Sequence, residues 1–140
     1  MKWYLQADFN NKYAKVEPYV IGPNRAAFNL DTTTDAIPFE FAQDSAGICR
    51  LRQFGTTAIL ITRTANGPAS VGTWVYLADP ADGANGGYAP RPLTCTATQA
   101  STLSCVSDSN ADLNGFSANG DYLLGQSGGG SVTITLVPAA

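Results

Sequence analysis

No stretch of this chain keeps apolar residues at helical spacing. They alternate instead with polar residues, in short runs cut apart by glycine and proline. Nine runs stand out: KWYLQA, YAKVEPYV, RAAFNL, IPFEFA, ICRLR, TTAILITR, GTWVYLA, DYLLG and SVTITLV. In SVTITLV, Val132, Ile134 and Leu136 point to one side while Thr133 and Thr135 point to the other, as a strand with one buried face requires. The best helical candidate, Phe41 to Phe54, has Gly47 in its middle and no apolar stripe. Adding the weaker pieces LTCTA and TLSCV gives about ten to twelve short strands, the pattern of a small barrel or sandwich. The expectation is one all-β domain over residues 1–140. A Tyr-Leu strand start recurs at Tyr4, Tyr76 and Tyr122, unevenly spaced. It puts a β-trefoil slightly ahead of a β-sandwich.

The longest connections should be ADPADGANGGYAPRP, Ala78 to Pro92, and SDSNADLNGFSANGD, Ser107 to Asp121. Both are dense in Gly, Asn and Asp, so both read as surface turns. The piece GQSGGGS reads as a flexible turn between the last two strands.

Three cysteines constrain the compartment. Cys95 and Cys105 each close a short alternating segment, and the residues between them suffice to turn the chain back as a hairpin. A structural disulfide is the expectation, with free thiols as the alternative. Cys49, on an alternating strand, is expected to be a buried free thiol. With no histidine in the chain, neither a metal set nor a Cys-His or Ser-His-Asp arrangement can be assembled. No metal and no cofactor are expected.

Charged residues make up 14% of the chain, against roughly 25% ordinarily. Ser, Thr, Asn and Gly replace them, a composition more common outside cells than in cytosolic enzymes. Residues 1–70 hold seven of the eight Lys and Arg, and residues 71–140 hold five of the eleven acids against one Arg. No basic run exists to neutralise a row of phosphates, so nucleic acid is not an expected partner. The apolar runs are too short to cross a bilayer, so neither is a membrane. The opening MKWYLQADFNNKY turns polar too soon for a signal peptide; if the protein is secreted, the expectation is a mature module behind an added Met, or an excised piece.

Several motifs fall short of chemistry. NLDTTTDA has Thr33 where an aspartic protease loop needs glycine. Asp108, Asn110, Asp112 and Asn114 alternate as calcium ligands do, but Leu113 holds the glycine position and no closing Glu follows. Both stretches read as polar turns. A glycosidase needs two carboxylates across one bond. Glu17 and Glu40 read as outward partners on strands, which leaves Asp79 and Asp82 as a minor hydrolase alternative. Carbohydrate binding needs an aromatic ring to stack on the sugar, with Asp or Asn beside it for the hydroxyls. TWVYLADPADGANGGYAP supplies both, and Trp74, Tyr76, Asp82, Asn85 and Tyr88 are the candidate ligand-binding residues. The alternative is that Trp74 and Tyr76 are core and the Asp-Gly and Asn-Gly pairs are plain turns.

The segments WYLQADFNNKYAKV, AAFNLDTTTDAIPFEFAQDSAGICRL, the LTC and TLSC pair and the closing SVTITLVPA together resemble a module of secreted and cell-wall proteins of filamentous fungi. Such modules often carry further cysteines near the C-terminal end, where this chain has none. Such modules are often of uncharacterised function, and the resemblance implies an extracellular, non-catalytic domain; the expected partner is a polysaccharide or glycoprotein of the cell wall. It assigns no active-site residue. The competing expectation is a structural protein that self-associates into fibres or wall layers, with uncapped strand edges such as SVTITLV as the means.

Overall fold

The computed structural model of the chain describes residues 1–19, 22–63, 73–79, 90–108, 113–127 and 130–139. Among these residues there are twelve strands and no helix. In chain order they are β1 (Lys2–Ala7), β2 (Tyr13–Tyr19), β3 (Gly22–Leu30), β4 (Phe39–Gln43), β5 (Cys49–Gln53), β6 (Ile59–Arg63), β7 (Thr73–Ala78), β8 (Pro90–Ala97), β9 (Leu103–Ser107), β10 (Leu113–Asn119), β11 (Tyr122–Ser127) and β12 (Ile134–Ala139).

The pairings are antiparallel and repeat every four strands. One tier holds three pairs: β12 on β1 with Leu136 opposite Leu5, β4 on β5 with Phe41 opposite Leu51, and β8 on β9 with Cys95 opposite Cys105. These pairs join where Trp3 faces Phe39, where β5 lies against β8, and where Thr102 bridges to Thr135. The second tier is the hairpins β2–β3, β6–β7 and β10–β11. Their second strands meet one another in a triangle of β3–β7, β7–β11 and β11–β3 pairings. The hydrogen-bonded ladder thereby closes through eight strands, β1-β4-β5-β6-β7-β11-β3-β2, with the remaining strands attached.

Closure follows from the alternation. Every strand gives at least one side chain to a single buried cluster, from Leu5 and Ala7 on β1 to Ile134 and Leu136 on β12. Phe28 and Phe39 are the largest of its fully buried members and have no exposed surface. Each buried aliphatic or aromatic side chain of this kind contributes roughly 1.5–3 kcal/mol. The sulfurs belong to this core as well, since Cys95 and Cys105 are 0% and 3% exposed and joined by a disulfide.

Several expectations need correction. Residues 107–121 are not all turn, because β10 occupies Leu113–Asn119. Its Gly and Asn hide the strand in composition. The ladder to β11 holds it, around a bulge between Leu113 and Gly115, with Phe116 buried. Pro90 and Pro92 likewise lie on β8, paired with Arg63 and Ile61 of β6. SVTITLV offers no free edge: β12 pairs with β1 along its length, and Leu136 N–H bonds to Ser101 O on the other side. The Tyr-Leu repeat does not mark the structural one. Tyr76 and Tyr122 lie on β7 and β11, but Tyr4 lies on β1 rather than on their counterpart β3. Cys49 is free as expected but only half-buried, because it opens β5 beside the exposed β4–β5 turn.

Candidate functional site

Alternation on β7 divides four residues between two environments. Val75 and Leu77 enter the main core, while Tyr76 packs with Ile59 and Ile61 in a smaller cluster on the opposite face. Trp74 and Ala78 border that cluster. Tyr76 is 4% exposed, so its ring acts as packing beneath the face; Trp74 is half-buried and reaches its rim. The Trp74 ring meets the Tyr122 ring edge-on at 5.6 Å, an orientation that matches ring edge to ring face. Arg25 from β3 lies 3.9 Å from the Tyr122 ring centroid and 5.6 Å from that of Trp74. Tyr122 donates its hydroxyl to Glu17 at 2.6 Å. That bond raises the Tyr122 pKa above the ordinary phenol value, since losing the proton sets a phenolate against a carboxylate. The β3–β7–β11 triangle is thus tied together by its own aromatic and charged side chains. Asp82, Asn85 and Tyr88 lie outside the described residues.

A second polar constellation had no signature in the sequence. In ICRLR, alternation sends Leu51 inward and leaves Arg50 and Arg52 on the outer face of β5. Arg52 stands opposite Glu40 in the β4–β5 ladder and bonds it through two nitrogens. Arg50 is different, with a side chain only 8% exposed. Its Nε and Nη2 donate to Asp44 Oδ2 at 3.1 and 3.0 Å, and Nη2 also lies 2.8 Å from Asp108 Oδ2.

The two carboxylates are themselves held. Asp44 Oδ1 accepts the N–H groups of Ala46 and Ile48, closing the turn in which Gly47 adopts φ +80°. Asp108 Oδ1 accepts the Thr94 hydroxyl from β8. Asp44 is held below the usual carboxylate range, first by the Ile48 N–H and then by Arg50. Burial alone would raise Asp108, but its bonds from Arg50 and Thr94 outweigh that and lower it. Arg50 is raised for the converse reason: burial disfavours its charge, and the two carboxylates more than restore it. One buried guanidinium therefore clamps the β4–β5 turn to the end of β9. Its remaining nitrogen, Nη1, is buried and has no hydrogen-bond partner.

Beside this clamp lies a cleft of about 340 Å³. Gln43, Asp44, Ser45, Arg50, Arg52 and Thr57 supply its polar lining, and Ala42, Ile59 and Pro92 its apolar lining. Ile59 connects it to the Tyr76 cluster, and Thr57 donates to Asp79 Oδ2 at 2.8 Å. Pro92 lines the cleft directly, whereas Asp79 is linked to it only through the Thr57 bond.

The chain was compared with protein-family models, curated proteins and solved structures. It matches none of them.

Of the residues singled out from sequence, Trp74 and Tyr76 share a face. Asp79, offered for hydrolysis, bonds to Thr57. Glu17 and Glu40 are outward-facing partners of Tyr122 and Arg52, as alternation indicated. Asp108 and Asn114 are not joined as a calcium loop: Asp108 pairs with Arg50, and Asn114 lies on β10. Asn110 and Asp112 are outside the described residues. Among those residues no group of three His, Cys, Asp or Glu side chains converges on a metal-sized space. The one usable signal for the Arg50 clamp was two arginines on one strand face. Its partners stand 6 and 58 positions away, which no local pattern reveals.

Proposed function

We propose that this chain is a non-catalytic extracellular module that binds cell-wall polysaccharide or glycoprotein, and that its architecture is a β-trefoil. The trefoil is favoured over a sandwich by pairings that recur every four strands, with three hairpins meeting in a triangle over three further pairs. The extracellular setting is supported by the buried Cys95–Cys105 bridge, since structural disulfides persist in oxidising compartments. The resemblance to secreted fungal modules points the same way.

The cleft carries the binding reading. Its volume of about 340 Å³ falls within the range of small-ligand sites. Hydrogen-bonding groups alternate there with small apolar surfaces, which suits a ligand that is hydroxylated at its edge and apolar on its faces. Trp74, Tyr76, Asp82, Asn85 and Tyr88 are the candidate ligand-binding residues of this reading, with Tyr76 as packing beneath the face. The first two lie on the strand that pairs with β6 alongside the cleft, and the other three follow Asp79 in sequence.

The test is retention on insoluble chitin, β-glucan and cellulose, followed by size exclusion of the eluted protein. Binding to one polymer, weakened by Tyr88→Ala or Trp74→Ala with the fold intact, supports the proposal. Failure to be retained on any polymer refutes it.

A further inference from the structure

We propose that the outer face of β1, β2 and β12 carries a second saccharide-binding site, an aromatic strip of Tyr4 and Tyr13 about Gln6, and that it takes a neutral sugar chain. The ligand class rests on the carbohydrate-binding reading; the site is a new one.

The strip follows from the recurrence of the pairings every four strands. Leu5 opposite Leu136, Leu51 opposite Phe41 and Cys105 opposite Cys95 are corresponding pairs. One backbone bond recurs with them: Asp8 N–H to Thr133 O, Phe54 N–H to Pro38 O, and Asp108 N–H to Pro92 O. β1 therefore corresponds residue by residue to β5, with Tyr4 in the place of Arg50 and Gln6 in the place of Arg52. Their partners agree. Tyr4 faces Val137 as Arg50 faces Ala42, and Gln6 faces Thr135 as Arg52 faces Glu40. Gln6 then meets Tyr13 as Arg52 meets Ile59. Ala42, Arg50, Arg52 and Ile59 all line the cleft. Ser104, Val106, Thr94 and Thr96 take the same positions on β9 and β8 and include no ring.

Leu5 and Ala7 point into the core, so alternation turns Tyr4 and Gln6 outward. Tyr13, directly opposite Gln6, shares that face. Tyr4 is the diagonal neighbour of Tyr13, about 7–8 Å away by strand geometry, near enough for one oligosaccharide to cover both. Both rings are half-buried, held at the base by the strands with part of each left open. A tyrosine fixed in this way has little freedom to lose on binding. Gln6 Nε2 donates to Asn11 O at 3.0 Å in an exposed bond, which fixes the amide on the same face. Two phenol rings with an amide between them suit a pyranose, which offers an apolar face and a rim of hydroxyls.

Charge selects the neutral class. Tyr4, Gln6, Tyr13, Thr135 and Val137 carry none, although their counterparts on the other face include Arg50, Arg52 and Glu40. A carboxylate or ammonium brought against the strip would shed water and meet no opposite charge within it. The charges that bound it come in both signs: β1 runs from Lys2 into Asp8, and β2 continues from Tyr13 to Lys15 and Glu17. Lys2 already lies over the Phe54 ring, and Asp8 accepts the Thr133 N–H. Complementarity therefore favours an uncharged partner.

Titration calorimetry tests neutral gluco- and chito-oligosaccharides, with oligogalacturonate as the charged probe at low and high salt and polymer retention in parallel. The expected result is neutral binding, little changed by salt, that Tyr4→Ala and Tyr13→Ala each weaken about tenfold. Half-buried rings also brace the sheet, so Thr135→Lys serves as a further variant. Thr135 is on the outer face opposite Gln6, and a long charged chain there should obstruct the strip while leaving the core and the melting temperature as they were.

Retention and neutral binding unchanged in all of these variants overturn the site and leave carbohydrate binding standing. Tighter, salt-sensitive binding of oligogalacturonate that the same variants abolish overturns the neutral class. Failure of every polymer and oligosaccharide to bind overturns the underlying reading, and this site with it.

Discussion

Removing the Cys95–Cys105 bridge separates two contributions to stability that this fold combines. The bridge closes a loop of sequence separation 10. Chain entropy then assigns it about 2.7 kcal/mol at room temperature, acting by restricting the unfolded chain. The sulfurs are also core atoms, packed in the cluster that includes Leu93 and Leu103. Reduction without substitution removes only the first contribution. Cys95→Ala with Cys105→Ala removes both, and two vacated sulfur positions add about 2 kcal/mol more. The reduced wild type should therefore lose about 2–3 kcal/mol and the double variant about 4–5 kcal/mol. For a chain of 140 residues, the first loss lowers the melting temperature by about 10 °C. Urea unfolding of oxidised, reduced and double-variant protein measures the ordering. The buried bridge should be reduced in denaturant and the protein refolded with reductant present, and Cys49→Ala serves as the control. A reduced protein as stable as the oxidised one would show that the bridge does not constrain the unfolded chain. A double variant no worse than the reduced protein would show that the sulfurs add nothing as packing.

Acid should loosen the Arg50 clamp. Asp44 and Asp108 have folded pKa values below their unfolded ones, so their contribution is present above the unfolded pKa of about 3.9 and is lost as pH falls through the lowered values. Asp108→Asn should cost about 1–3 kcal/mol near neutrality and flatten the fall in stability below about pH 4, measured by urea midpoints against pH. Tyr122→Phe removes the hydroxyl bond to Glu17 and should lower stability slightly. In the parent, the tyrosine ultraviolet titration should contain a component above the ordinary phenol pKa that this variant lacks, because the raised Tyr122 value favours the folded state until pH climbs past about 10. Gly130 and Gly47 form a contrasting pair. Gly130 has φ +71°, and a Cβ there would fall 2.2 Å from Phe116 O. Gly47 has φ +80° with open space around it. Gly47→Ala should cost about 1–2 kcal/mol in backbone strain alone, and Gly130→Ala more, because β10 must shift as well; thermal unfolding ranks them.

The strands were legible wherever one face is apolar and the other polar. KWYLQA became β1 to the residue, and Ile59, Leu60, Ile61 and Thr62 of TTAILITR mark β6. The disulfide was legible because its hairpin is local. β10 was not, since Leu113–Asn119 is dense in Gly, Asn and Ser, and the partner strand supplies the order. Register also escaped. Nothing in ICRLR distinguishes Arg52, paired with the residue across the hairpin, from Arg50, which also reaches a carboxylate just past β9. That difference arises when β8 and β9 fold over β5, a contact set by the tertiary path of the chain. The aromatic part of the candidate site was half legible. Alternation correctly put Trp74 and Tyr76 together, but burial of Tyr76 depends on Ile59 and Ile61 from a separate strand.

Closure of the ladder bears on the choice between binding and self-assembly. Assembly through strand edges needs a row of backbone groups without partners. SVTITLV was the natural source of one, with Val, Ile and Leu on alternate positions and no lysine. In the folded chain its backbone is engaged by β1 on one side and by Ser101 and Thr102 on the other. An assembly built on that segment would first have to pull β12 from the barrel, and with it Ile134 and Leu136, which are 0% and 3% exposed. Exposing two such side chains costs about 3–6 kcal/mol before any intermolecular bond forms, a large share of a typical domain's 5–15 kcal/mol. That segment therefore does not supply the edge on which self-assembly would rely. Among the described residues, the large hydrophobics left exposed are Met1 and Phe54, and the Phe54 ring already lies under Lys2 at 4.9 Å. Low charge keeps the surface from repelling a copy of itself, but the fold leaves little there for the copy to hold.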